Sequence, residues 1–95
     1  MGPQSQVSLP VPEISRFLGI IIRMFYRDHA PPHIHAAYDR YEVTVDIHTG
    51  IVSGTFPKRA LRAVLEWHDI HKETLLENWE LARLERPLKQ IEPLE

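Results

Sequence analysis

Asp28-His29-Ala30-Pro31-Pro32-His33-Ile34-His35-Ala36-Ala37-Tyr38-Asp39-Arg40-Tyr41-Glu42-Val43-Thr44-Val45-Asp46-Ile47 is the stretch whose reading decides the fold. Its second half alternates. Tyr41, Val43, Val45 and Ile47 make an apolar row, and Glu42, Thr44, Asp46 and His48 a polar one. That is the period of a strand with one face on a core and the other in water. Asp39-Arg40 falls where the direction must reverse, so His33 to Tyr38 and Tyr41 to Ile47 are predicted as a hairpin. Asp-Arg is a poorer turn than Asp-Gly, and the register rests on the alternation. In that register Ile34 faces Val45, His35 faces Thr44 and His33 faces Asp46. The same antiparallel logic, carried back across the Pro-Pro loop, places Arg27 near His33 and Phe25 near His35.

Upstream, Leu18 to Arg27 is rich in β-branched and aromatic residues and reads as a strand, with Ile20, Ile22 and Met24 on one face. Pro12 to Phe17 enters the domain as an extended segment. Downstream, Gly50 marks a turn and Ile51 to Phe56 a further strand, interrupted by Ser53-Gly54. Pro57 suits a first helical position, and Ala60, Leu61, Val64, Leu65 and His68 then recur at helical spacing. One helix from Pro57 to Arg83 would run about 40 Å, long for so small a core, so a break is expected near Ile70-His71. Pro87 ends the helical part, and an extended tail follows from Leu88 to Leu94.

The fold class is therefore α+β. A small antiparallel sheet of three to four strands is followed by one long broken helix or two helices packed on one face. Val43, Val45, Ile47, Leu61, Val64 and Leu65 are predicted to share the core, with Trp67 and Trp79 as core rather than ligand platform. Residues 12–95 form the single domain. Residues 1–11 are polar and without periodicity, and read as a disordered arm or an expression remnant.

At 43% hydrophobic and 25% charged, the 95 residues have the composition of an ordinary globular domain. A formal charge of −2 argues against nucleic-acid binding through global charge and leaves only a local basic patch. The absence of cysteine removes disulfides, thiolate ligands and thiol nucleophiles. The longest uncharged apolar run, Phe17 to Ile22, is too short to cross a bilayer, and no secretory leader is visible. A cytoplasmic location is expected by elimination.

Three of the six histidines fall within eight residues, which makes this loop and strand the candidate site. His33 and His35, two apart on a strand, point to one side, and Asp46 opposite His33 is placed to orient an imidazole. Two chemistries follow. His33 and His35 work as acid and base on a phosphodiester, with Asp46 and Arg27 beside them and Arg23, Arg27 or Lys58 stabilising charge. Alternatively His29, His33 and His35, with or without Asp46, hold a transition metal such as zinc. The spacing matches no established zinc signature, so no tightly bound metal or other cofactor is expected. The plain reading is that these histidines brace the Pro-Pro turn. Arg23 and Arg27, with Lys58, Arg59 and Arg62 at the helix start, are the candidate anion-binding residues. An anionic partner there would relieve their conflict with the helix dipole.

Several segments together resemble a known family: Pro12-Glu13-Ile14-Ser15-Arg16-Phe17, Gly19-Ile20-Ile21-Ile22-Arg23-Met24, Asp28 to His35, Arg59-Ala60-Leu61, Leu65-Glu66-Trp67 and Glu77-Asn78-Trp79. The pattern is similar to the DUF4160 family of short bacterial and archaeal proteins and covers Pro12 to Leu94. Members usually begin at a methionine-proline pair. Here Val11 stands in the methionine's place, so residues 1–11 fall outside the pattern. The resemblance implies no established activity. It implies a genomic setting beside a second small gene, of the kind suggested for toxin–antitoxin-like pairs.

The leading expectation is thus the effector of such a two-gene module, acting on or binding RNA through a face of histidines and arginines. A small protein encoded nearby would be its partner. The alternative is a non-enzymatic protein-binding or regulatory module, in one form metal-dependent. A polar cleft in which His33 and His35 converge favours chemistry, whereas separated histidines and an exposed apolar helical seam favour the adaptor.

Overall fold

The computed structural model describes residues 12–95, so the expectation for the first eleven residues lies outside it. Five strands, β1 (Glu13–Phe17), β2 (Ile20–Arg23), β3 (His33–Tyr38), β4 (Tyr41–Asp46) and β5 (Val52–Thr55), precede two helices, α1 (Lys58–Ile70) and α2 (Lys72–Arg83). The strands form one antiparallel sheet in sequence order. The α+β class holds, with one strand more than expected.

The extra strand comes from a turn inside the run from Phe17 to Ile20. Leu18 and Gly19 both take positive φ, 53° and 79°, and Phe17 pairs with Ile20 across them. This two-residue turn matches the sheet's twist, and Gly19 adopts its half without a Cβ penalty. Leu18 has no such freedom and stands 68% exposed at the tip. The β3–β4 hairpin has the predicted register: His33 pairs with Asp46, Ile34 with Val45 and His35 with Thr44.

Ile20, Ile22, Met24, Ile34, Val43, Val45 and Ile47 are buried on one side, with Val64, Trp67, Leu75 and Trp79 from the helices. Leu61 and Leu65 are half-buried and pack against this core rather than lie inside it. The helical stretch breaks at His71, which ends α1 and opens α2. Pro57 precedes α1 as its N-cap with an extended ψ of 140°, one position earlier than the sequence suggests. Among the described residues no helix is long and apolar enough to cross a membrane.

The tail is the least expected element. The Ile91 amide donates to the Ile14 carbonyl at 2.8 Å, and the Gln90 side chain donates to that of Glu13. The tail therefore covers the outer edge of β1. Buried Asn78 holds Lys89 in both directions, donating to its carbonyl at 3.0 Å and accepting from its amide at 2.9 Å. The Trp67 indole donates to the Glu92 carbonyl at 2.8 Å.

Candidate functional site

Alternation along β3 sends Ile34 and Ala36 into the core and His33 and His35 to the opposite face. The loop from Met24 to Pro32 then folds back over them. Its two ends are fixed by backbone bonds, Met24 amide to Pro12 carbonyl and Ile47 amide to Pro32 carbonyl, and the Arg27 amide reaches Ala82 of α2. This closure puts Asp28 against both imidazoles. Its Oδ2 lies 2.9 Å from His33 Nε2 and 3.2 Å from His35 Nε2. Its Oδ1 accepts the backbone N–H of His29 at 2.8 Å. The side chains are only 18% (Asp28), 10% (His33) and 19% (His35) exposed. The rings are wedged in place, His33 with its centroid 5.3 Å from that of Trp79, and His35 edge-on to Phe25 at 4.3 Å.

One proton can be assigned from the contacts. His33 Nδ1 lies 2.7 Å from the Pro31 carbonyl oxygen. A carbonyl only accepts, so Nδ1 carries the hydrogen. In a neutral ring Nε2 is then a bare lone pair, yet it faces a carboxylate oxygen. Two acceptors at 2.9 Å repel unless something positive lies between or beside them. A proton on Asp28, a second proton on His33 or a metal ion would each satisfy the pair. Burial pushes the Asp28 pKa up, and the His35 hydrogen bond, the His29 amide and the nearby charges of His33 and His29 together outweigh that and lower it.

The three groups fit an ion. One ligand atom from each of Asp28, His33 and His35 lies within 4.8 Å of the others. Donors about 2.1 Å from a metal sit roughly 3.0 Å apart at neighbouring octahedral positions and roughly 3.4 Å apart at tetrahedral ones. The observed 2.9 and 3.2 Å fall at that spacing. The Nδ1–H to carbonyl bond of His33 is the outer contact that metal-bound imidazoles characteristically make.

The expected site residues divide accordingly. His33 and His35 lie on one side of the sheet and meet at Asp28. Asp46 shares their face, but its carboxylate accepts the Thr49 backbone N–H at 2.9 Å in the turn after β4. That amide bond leads in lowering its pKa against the effect of desolvation, with the Thr49 hydroxyl and His48 adding to it. Asp28, not Asp46, is the carboxylate on the imidazoles. His29 is likewise displaced from the expected metal set: its side chain is 83% exposed, its ring stacks on His33 at 5.3 Å, and its Nε2 stays 3.8 Å from Asp28. Arg27, at φ 52°, turns away and pairs with Glu85 at 2.8 Å. Arg23 takes its place as the cation near the site, directly across from His35. Lys58, Arg59 and Arg62 lie at the start of α1. Arg59 borders a groove with Leu18 and Tyr38, at the end of β3 remote from His33, so this basic group does not join the histidine face.

Beside the three groups lies an open cleft of about 340 Å³ over β3, β4 and β5, bordered by Thr44, Asp46, Thr49, Ile51 and Ser53.

Fold and site together define a small α+β domain with a histidine–aspartate centre at one end of its sheet. The chain belongs to the DUF4160 family, described as a domain of unknown function, whose model matches residues 19–80. The match spans the loop, the hairpin and both helices up to Glu80, and so includes all three groups of the centre. No curated protein and no solved structure matches the chain.

Proposed function

We propose that this protein is a metal-dependent module in which Asp28, His33 and His35 hold one divalent transition-metal ion. The observation that carries the reading is the convergence of Asp28 Oδ2, His33 Nε2 and His35 Nε2, with His33 Nδ1 held on the Pro31 carbonyl. Two imidazoles and one carboxylate suit zinc, iron(II), cobalt(II) or nickel(II) and leave coordination positions for water or a ligand. An ion held there by Asp28, His33 and His35 would supply Lewis acidity at the mouth of the cleft. The chain's own part is to fix the imidazole tautomer through Pro31, to orient Asp28 through the His29 amide, and to shield one side with Phe25 and Trp79.

The test is elemental analysis and calorimetry on the full chain purified without a histidine tag. The expected result is one equivalent of zinc or cobalt at micromolar protein, lost in Asp28→Asn and in His33→Ala and retained in His29→Ala. Failure of the wild type to hold either metal sinks the reading.

A second reading uses the same groups without an ion, as an acid–base pair acting on RNA within a two-gene module whose partner covers the cleft. In its favour is Arg23 across from His35. Against it stand three carboxylates on the same face, Asp28, Glu42 and Asp46, which repel a phosphate backbone. Expression of the chain beside a His33→Ala, His35→Ala version, with growth and bulk RNA integrity recorded, separates the readings. RNA breakdown that persists in metal-depleted protein favours the second.

A further inference from the structure

The cleft beside the centre has a charge pattern that selects its ligand. Resting on the metal reading above, we propose that it takes an amino-acid-sized molecule with a metal-chelating pair of donors and a protonated amine, the amine set against Asp46.

Size comes first. About 340 Å³ is at the small end of ligand pockets, enough for a compact metabolite. Charge comes next. The residues bordering the cleft include two carboxylates, Asp28 and Asp46, and no lysine or arginine. A divalent ion on Asp28 leaves that end one unit positive, so an anionic chelating head is attracted there. Asp46 is left over. It sits directly across from the ligating His33, where Cβ atoms are about 5 Å apart. Among the described residues it makes no ion pair, and its tie to the Thr49 amide holds it in place without neutralising it. A ligand that is anionic at the ion and cationic a few ångströms away matches both ends. The rest of the wall suits a short side chain, with Ile51 67% exposed as an apolar patch and the Thr44 and Ser53 hydroxyls as hydrogen-bonding groups. A phosphodiester would meet Asp46 with like charge.

The experiment uses the full chain loaded with cobalt(II) and two probes, acetohydroxamate and glycine hydroxamate. They share the chelating head and differ by the ammonium group. Binding is followed by the visible absorption of the cobalt, in the wild type and in Asp46→Asn. Asparagine keeps an oxygen for the Thr49 amide and removes only the charge, and the cobalt affinity of the variant is measured alongside. The wild type is expected to prefer glycine hydroxamate, and that preference to fall about five-fold in Asp46→Asn, the size of one well-placed but partly exposed charge pair. An equal preference in both proteins overturns the proposal. If cobalt binds and neither hydroxamate changes its spectrum, the ion has no position open to the cleft, and this proposal fails while the metal reading stands. If cobalt does not bind, it is the metal reading itself that fails.

Discussion

Against the opposing pull of burial, the His35 hydrogen bond and the His29 amide hold the Asp28 carboxyl below its ordinary value, and that direction fixes how stability should depend on pH. A carboxyl held below its ordinary 3.8 contributes stability that is fully present above that value and is lost as pH falls through the lower folded-state value. In metal-free buffer Asp28→Asn should therefore be less stable than the wild type at neutral pH, with the gap closing below about pH 4. Urea denaturation at the two pH values checks this, and an unchanged gap would contradict the assignment. Asp28 was not legible as a site residue because alternation orders side chains only within strands, and this one lies in a loop whose path is set by Pro12, Ala82 and Pro32. The available signal was its neighbourhood, a carboxylate seven residues before His35 across a proline turn. Gly54 carries a separate expectation. Its φ is +112°, and an added Cβ would come within 2.7 Å of the Glu42 carbonyl oxygen, backbone that cannot swing aside. Gly54→Ala should cost about 1–3 kcal/mol in chemical denaturation.

Elements were legible where hydrophobic period alone decides them. The β3–β4 hairpin came out in register because a one-residue slip would bury Glu42, Thr44 and Asp46. The helix break at His71 followed from length. The β1–β2 turn escaped because Leu18 occupies a position usually given to Asn, Asp or Gly, so two strands read as a single apolar run with an extended lead-in. Arg27 was misplaced for a related reason. The chain leaves the sheet after Arg23, and from there pairing logic no longer applies. The tail was legible only as extended, since its bonds to Ile14, Asn78 and Trp67 are made with residues far away in sequence. Removing residues 88–95 should bare the edge of β1 and orphan buried Asn78. The truncated chain is expected to lose stability and to self-associate with rising concentration in sedimentation. A monomer as stable as the full chain would show the tail to be dispensable.

At the scale of the molecule, an ion that binds only the folded form must stabilise the whole domain. At a free concentration one hundred times its Kd the gain is about 2.7 kcal/mol. For a domain of this size that corresponds to a rise in Tm of roughly 10–20 °C. Zinc or cobalt should produce such a rise, a chelator should reverse it, and His33→Ala should abolish it in a thermal scan. Sheet order has a different consequence. Each strand pairs only with its neighbours in sequence, so the meander can assemble as it leaves the ribosome. Its first strand is the exception on one side, for the residue that covers Glu13 is translated 77 positions later. Until that residue emerges, the nascent protein carries a bare β-edge. That interval, more than the finished fold, is when a chaperone or a protease has something to hold.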